Sequence, residues 1–113
     1  MSRRKVTPLN PWETLEPGGR SHYHRIARDL MQCEKFKELG YSARYLYICM
    51  VEACAGKRQF RFTHRDYVAF GIEEKTFFRA REELIQAGFL RLTESGRSTR
   101  TPNLYEWRLD WKT

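Results

Sequence analysis

The apolar positions of this chain group into helical and alternating stretches separated by glycines. From His24 to Leu39, the residues Ile26, Ala27, Leu30, Met31, Phe36 and Leu39 recur mostly at steps of three and four. That spacing is helical, with an uneven gap that suggests a break near Gln32. Gly40 is expected to close this segment as a left-handed C-terminal cap. Ser42 then reads as the N-cap of a helix that carries Ala43, Leu46, Tyr47, Met50, Ala53 and Cys54 on one face, with Gly56 as its stop. Phe60-Arg61-Phe62 alternates as a short strand. Thr63-His64-Arg65-Asp66 has the spacing of a capping box, in which two side chains satisfy opposite backbone donors, and it predicts a short helix to about Phe70. Gly71-Ile72 predicts a tight turn, followed by a helix over Glu73 to Ala87 with Phe77, Ala80 and Leu84 on one side and Gly88 at its end. Phe89 to Thr93 reads as a strand, and Tyr105, Trp107, Leu109 and Trp111 alternate with Glu106, Arg108 and Asp110 in period two.

Two polar stretches complete the pattern. Residues 1–21 contain Pro8, Pro11, Pro17, Gly18 and Gly19 with no period, the composition of a flexible arm, which Trp12 and Leu15 could still anchor to the body. Ser95 to Asn103 holds Arg97, Arg100, a glycine and a proline without an acidic residue, which predicts a basic hairpin tip.

Composition narrows the class. With 113 residues the chain matches one domain, and 41% hydrophobic residues, including seven Phe, six Tyr and three Trp, are too many for a disordered chain. The formal net charge is +7, which favours a polyanionic partner. Its distribution is uneven. The stretch from residue 26 to residue 56 is neutral, whereas Lys57, Arg58, Arg61, Arg65, Lys75, Arg79 and Arg81 face only Asp66, Glu73 and Glu74 in the next stretch. A neutral core element behind a basic face is the arrangement this implies.

Several chemistries lack support. Cys33, Cys49 and Cys54 are odd in number and irregularly spaced, so neither a disulfide framework nor a zinc pair is drawn from them. Cys49 and Cys54 read as small buried hydrophobes in a reduced, cytoplasmic setting. His22 and His24 have no third ligand nearby, so no metal and no cofactor is implied. Tyr45 to Val51 is the longest apolar run and is far short of the ~20 residues a bilayer crossing needs. Pro8 and Pro11 stand where a secretory signal would be apolar, so no export signal is expected. No nucleophile with ordered partners, phosphate-cradling loop or spaced acid pair is recognisable, so neither an enzyme nor a small-molecule substrate is predicted. The aromatics at Tyr45, Tyr47, Phe60, Phe62, Tyr105, Trp107 and Trp111 are mostly at core spacing, which leaves little for stacking against single strands.

The order helix, short strand, helix, turn, helix, strand, basic loop, strand resembles the winged helix-turn-helix domains over roughly Tyr41 to Lys112. The sharpest stretch runs from Gly71 to Leu90, GIEEKTFFRAREELIQAGFL, and is similar to that family's recognition helix and its entry into the wing. Tyr41 to Tyr47 and Asn103 to Lys112 also resemble small winged-helix proteins of bacterial mobile elements and the N-terminal domains of plasmid replication initiators. The resemblance implies an α+β fold. It has a three-helix core, a C-terminal β-hairpin wing and an additional N-terminal helical segment, with a basic arm over 1–21 and the domain over 22–113. It departs from the family pattern at Glu73 and Glu74, which would repel phosphates, and at Arg81, which stands where the family places an aliphatic residue. Either the Arg81 stem packs there or the helix is rotated.

The resemblance further implies double-stranded DNA as partner. A major groove admits one helix, and flanking cations fix its register on phosphates. Lys75, Thr76, Phe78 and Arg79 would meet the groove, Arg79 suiting guanine and Phe78 a thymine methyl. Each has an alternative, since Phe78 can complete the core with Ile85 and Arg79 can pair with Glu82 or Glu83. Thr63, His64 and Arg65 would meet phosphate at the start of the supporting helix, although His64 reads more readily as a plain surface residue. Arg97, Ser98 and Arg100 would do so from the wing, and Arg3, Arg4 and Lys5 from the arm. The function expected is sequence-specific DNA binding by a transcriptional regulator or accessory factor of a mobile element. The alternative is a protein-docking module with Glu73 and Glu74 facing a basic partner, and RNA binding ranks third. A homodimer through His24 to Leu39 or through the C-terminal aromatics is compatible with either.

Overall fold

The computed structural model describes residues 26–94 and 103–109. These form an α+β unit with helices α1 (Arg28–Met31), α2 (Glu34–Lys37), α3 (Tyr41–Cys54), α4 (His64–Ala69) and α5 (Glu74–Gln86). Strands β1 (Gln59–Arg61), β2 (Leu90–Glu94) and β3 (Leu104–Trp107) complete it. The sheet is antiparallel in the order β1-β3-β2, so the last strand lies between the two earlier ones. Phe60 and Leu92 both stand opposite Tyr105, and the β2–β3 register shifts between Leu92 and Glu94. The Thr93 hydroxyl donates to the Leu104 carbonyl there, at 3.1 Å.

The segment expected as one uneven helix is two short ones. Gln32 ends α1 and Cys33 opens α2 from extended backbone. The break has a geometric reason. Leu30 precedes Phe36 by six residues, a step that points them to different sides of a continuous helix, and the break lets Leu30, Phe36 and Leu39 all enter the core.

Two cap expectations are corrected. Gly40 is not left-handed: it has φ −64° and ψ 161° and serves as the N-cap of α3, so Ser42 lies inside the helix rather than capping it. The end of α2 is satisfied instead by Arg44, which donates from Nε to the Leu39 carbonyl at 3.0 Å and from Nη2 to the Lys37 carbonyl at 2.9 Å. At the far end of α3 the left-handed turn begins one residue early, at Ala55 (φ 51°), and continues through Gly56.

The core lies between α3, α5 and the sheet. Ala43, Leu46 and Met50 from α3 meet Phe77, Ala80 and Leu84 from α5, beneath Phe89, Leu90 and Tyr105. Aromatic rings fill the remaining volume. Phe36, Tyr47 and Phe89 meet edge to face with centres 5.6 to 6.0 Å apart, and Phe60 stacks on Trp107 at 5.0 Å. Among the described aromatics expected at core spacing Tyr45 is the exception, 46% exposed, and Trp111 lies outside the described residues. Cys49 and Cys54 are buried in this core, and burial pushes the Cys49 thiol up from its usual range. No helix among the described residues is long and apolar enough to cross a membrane.

Candidate nucleic-acid interface

The predicted site is built on α4, the turn after it, and α5. Thr63 and Asp66 form the capping box: the Asp66 amide donates to Thr63 Oγ1 at 3.3 Å and the Thr63 amide to Asp66 Oδ2 at 2.8 Å. The helix ends in a Schellman turn. Gly71 at φ 76° lets its own amide reach the Val68 carbonyl and the Ile72 amide reach the Tyr67 carbonyl, both at 2.9 Å. An L side chain disfavours that backbone, which is why glycine stands here. Extended backbone at Glu73 then starts α5, with no side-chain cap.

Phe77 fixes α5 against α4. Its ring stacks on Tyr67 at 4.4 Å and on Phe62 at 5.9 Å, and Ala80 and Leu84 continue the buried face. Helical spacing then turns Lys75 and Arg79 to the opposite side, where both are exposed, together with Glu82 and Gln86. Arg79 makes no ion pair among the described residues, so the expected alternative of pairing with Glu82 or Glu83 is not realised. Phe78 flanks the stripe, 43% exposed, and does not complete the core; Ile85 packs there without it. Thr76 is half-buried.

Arg81 resolves the departure noted in the sequence. Its stem packs inward, leaving the side chain 16% exposed, and the helix keeps the expected face. The guanidinium lies over the rings of Phe78 at 4.9 Å and Phe77 at 5.8 Å, and Nη1 donates to the Tyr105 hydroxyl at 3.3 Å. Nη2 sits 3.7 Å from Glu82, while Nε is buried without a hydrogen-bond partner. Arg81 therefore braces Phe78 from behind and ties α5 to β3. Its role was absent from the sequence reading, although its place among aliphatic positions signalled something unusual.

The start of α4 is brought to the start of α5 through Tyr67. His64 Nδ1 lies 2.7 Å from the Tyr67 hydroxyl, and the ring pair is edge to face. Burial and then the charge of Glu74 push the Tyr67 phenol up from its usual value, so Glu74 of the first α5 turn lies within its field. His64 is exposed, as expected of a surface residue, and bonds within α4 to Tyr67. Arg65 beside it is exposed. Glu73 and Glu74 are exposed at the head of α5, as their positions implied.

Arg97, Ser98 and Arg100 of the expected wing, Arg3, Arg4 and Lys5 of the expected arm, and His22 and His24 lie outside the described residues. Among the described residues no group of three His, Cys, Asp or Glu side chains is arranged to hold a metal ion. A cavity of roughly 360 Å³ is lined by Tyr47, Val51, Cys54, Trp107 and Leu109 and edged by Lys57, Arg58 and Arg108; no residue of α5 lines it.

The chain matches no family model, no curated protein and no solved structure.

Proposed function

We propose that this chain binds double-stranded DNA through α5, in the manner of a winged helix-turn-helix protein, and acts as a regulator or accessory factor on that DNA. The observation that carries the reading is the outward side of α5. Lys75 and Arg79 are exposed there beside Phe78, on a helix anchored by Phe77, Ala80 and Leu84. An exposed arginine with no ion pair among the described residues suits the two acceptors of a guanine edge, and an exposed ring suits a thymine methyl. Two further features support it: the strand order β1-β3-β2 with α4 and α5 between β1 and β2 is compatible with a winged helix, though not specific to it, and Thr63, His64 and Arg65 open the helix that packs behind α5. The fold on its own does not select this function.

The test is selection of bound duplexes from a random pool at low salt, followed by titration with salt. Recovery of a preferred sequence, with affinity falling steeply as salt rises, is the expected result. Absence of binding to every duplex at low salt overturns it. A second reading rests on Glu73 and Glu74, whose exposed carboxylates at the head of the same helix would suit a basic protein surface. A stoichiometric protein partner that survives nuclease treatment favours that reading.

A further inference from the structure

The ends of α3 and β3 enclose a cavity of roughly 360 Å³ that no residue of α5 lines. Its wall is Tyr47, Val51 and Cys54 of α3, with Trp107 and Leu109 at and just beyond the end of β3. That wall is fixed from behind. The Trp107 ring stacks on Phe60 at 5.0 Å and lies 4.9 Å from the Tyr47 ring. The Trp107 amide donates to the Arg58 carbonyl at 3.0 Å, and the Arg108 amide to the Phe89 carbonyl at 2.9 Å. A preformed apolar cleft with a few placed polar groups is the usual form of a small-molecule site.

The polar groups here carry one sign. The left-handed turn at Ala55 and Gly56, closed by the Lys57 amide on the Cys54 carbonyl at 3.0 Å, ends α3 and sets Lys57 and Arg58 at the cavity edge. Both are exposed, and neither makes an ion pair among the described residues. Arg108 also edges the cavity but has a contact of its own, so Lys57 and Arg58 are the two cations left to a ligand. No Asp or Glu lines the cavity. The carboxylate whose charge Arg58 does feel, Glu106, is bonded by Gln59 at 2.9 Å and Arg91 at 3.1 Å. An apolar wall with a cationic edge discriminates in two ways: a neutral apolar molecule leaves the edge unused, and a bare inorganic anion leaves the wall unfilled. Size narrows the class further, since a cavity of about 150 Å³ already houses benzene and this one has roughly twice that room.

We infer that this cavity binds a small aromatic anion of about two fused rings, its rings against Tyr47 and Trp107 and its acid group on Lys57 and Arg58. The probe is naphthoate, with naphthamide as the same shape without the charge, each titrated into the whole chain by calorimetry and by NMR of the Trp107 indole. Naphthoate is expected to bind one to one with a Kd below about 1 mM and to shift that indole resonance. Naphthamide is expected to bind about tenfold more weakly, because the charge-assisted bonds are lost. Lys57→Gln combined with Arg58→Gln replaces two exposed side chains and should bring naphthoate down to the affinity of naphthamide while leaving naphthamide unchanged. Val51→Phe fills the cavity and should abolish binding of both, with the far-UV spectrum of the parent.

Absence of saturable naphthoate binding up to that concentration overturns the inference, as does binding that leaves the Trp107 indole unmoved or that survives in Val51→Phe. Equal affinity for the acid and the amide, or naphthoate binding unchanged in the double variant, overturns the anionic class. The titrations contain no DNA, so their failure leaves the reading of α5 untouched, and failure of that reading leaves this one untouched.

Discussion

Helices α3 and α5 are of nearly equal length and pack against each other, yet their outer sides differ in kind. The outer side of α5 is charged, with Lys75, Arg79 and Glu82 in water and apolar residues confined to the face built on Phe77, Ala80 and Leu84. The outer side of α3 is apolar, with Tyr41, Tyr45 and Ile48 in water although its inner side is equally apolar. In α5 the polarity of the sequence separates the two faces, apart from Phe78, which stays 43% exposed on the flank. In α3 it does so less sharply: the face of Ala43, Leu46, Met50 and Cys54 that the spacing marks is buried, yet Tyr41, Tyr45 and Ile48 stay exposed on the other side. A strongly amphipathic helix announces its exposed face; one with apolar residues on both sides announces it only in part.

The sharpest way to break this contrast is to probe the inner faces. Leu46→Ala on α3 and Leu84→Ala on α5 remove fully buried side chains, and each is expected to cost about 2–5 kcal/mol by urea denaturation. A much smaller loss at Leu46 would mean that α3 is peripheral and that its two faces are less different than their burial implies. Next comes the turn that aims α5. Gly71 sits at φ 76°, so Gly71→Ala is expected to destabilise by about 1–2 kcal/mol. Gly40 has ordinary extended backbone, and a Cβ there would meet the Glu83 carboxylate at 3.4 Å, so the unfolded-state gain of Gly40→Ala is offset by the poor N-capping of alanine and a net change below about 0.5 kcal/mol is expected. Thermal melts should show a clear loss for Gly71→Ala and little change for Gly40→Ala.

On the outer face of α5, Arg79→Ala is expected to change stability by less than about 0.5 kcal/mol, since Arg79 is exposed and makes no ion pair among the described residues. The same variant should lose about 1–3 kcal/mol of binding to a selected duplex if Arg79 reads a base. A large stability change with unchanged binding would reverse the assignment of that face. The smallest effect expected is on the sheet. A hydrogen bond from Gln59 at 2.9 Å, and then the charges of Arg91, Arg58 and Arg108, hold the Glu106 carboxyl below its usual range despite opposing desolvation. A depressed folded value means that stability is gained above the ordinary carboxylate range and lost as pH falls through the lowered one. Glu106→Gln should therefore lower stability slightly at neutral pH and leave the strongly acid value nearly unchanged, which flattens the acid limb of the stability profile.

Short-range features were legible along the chain. The Thr63–Asp66 capping box, the left-handed Gly71 and Gly88, and the buried set Phe77, Ala80 and Leu84 depend on neighbours within a turn or two, and the spacing of residue types declares them. Features that need distant partners were not. Gly40 looked like a helix stop, but its conformation belongs to the start of the next helix, because Arg44 had already satisfied the carbonyls that a left-handed cap would serve. Arg81 looked out of place because its partners, Phe78 and the Tyr105 hydroxyl, include a strand far along the chain.

Local preference in the amino-acid order was enough to set where helices start and stop and which side of α5 is apolar, because capping, turn chemistry and helical period act over a few residues. The insertion of β3 between β1 and β2, the burial of the Arg81 stem and the exposure of Tyr41, Tyr45 and Ile48 were settled only by assembly. Strand pairing and burial join residues tens of positions apart, and whether further apolar residues outside a helix's marked face are covered depends on which neighbours reach them.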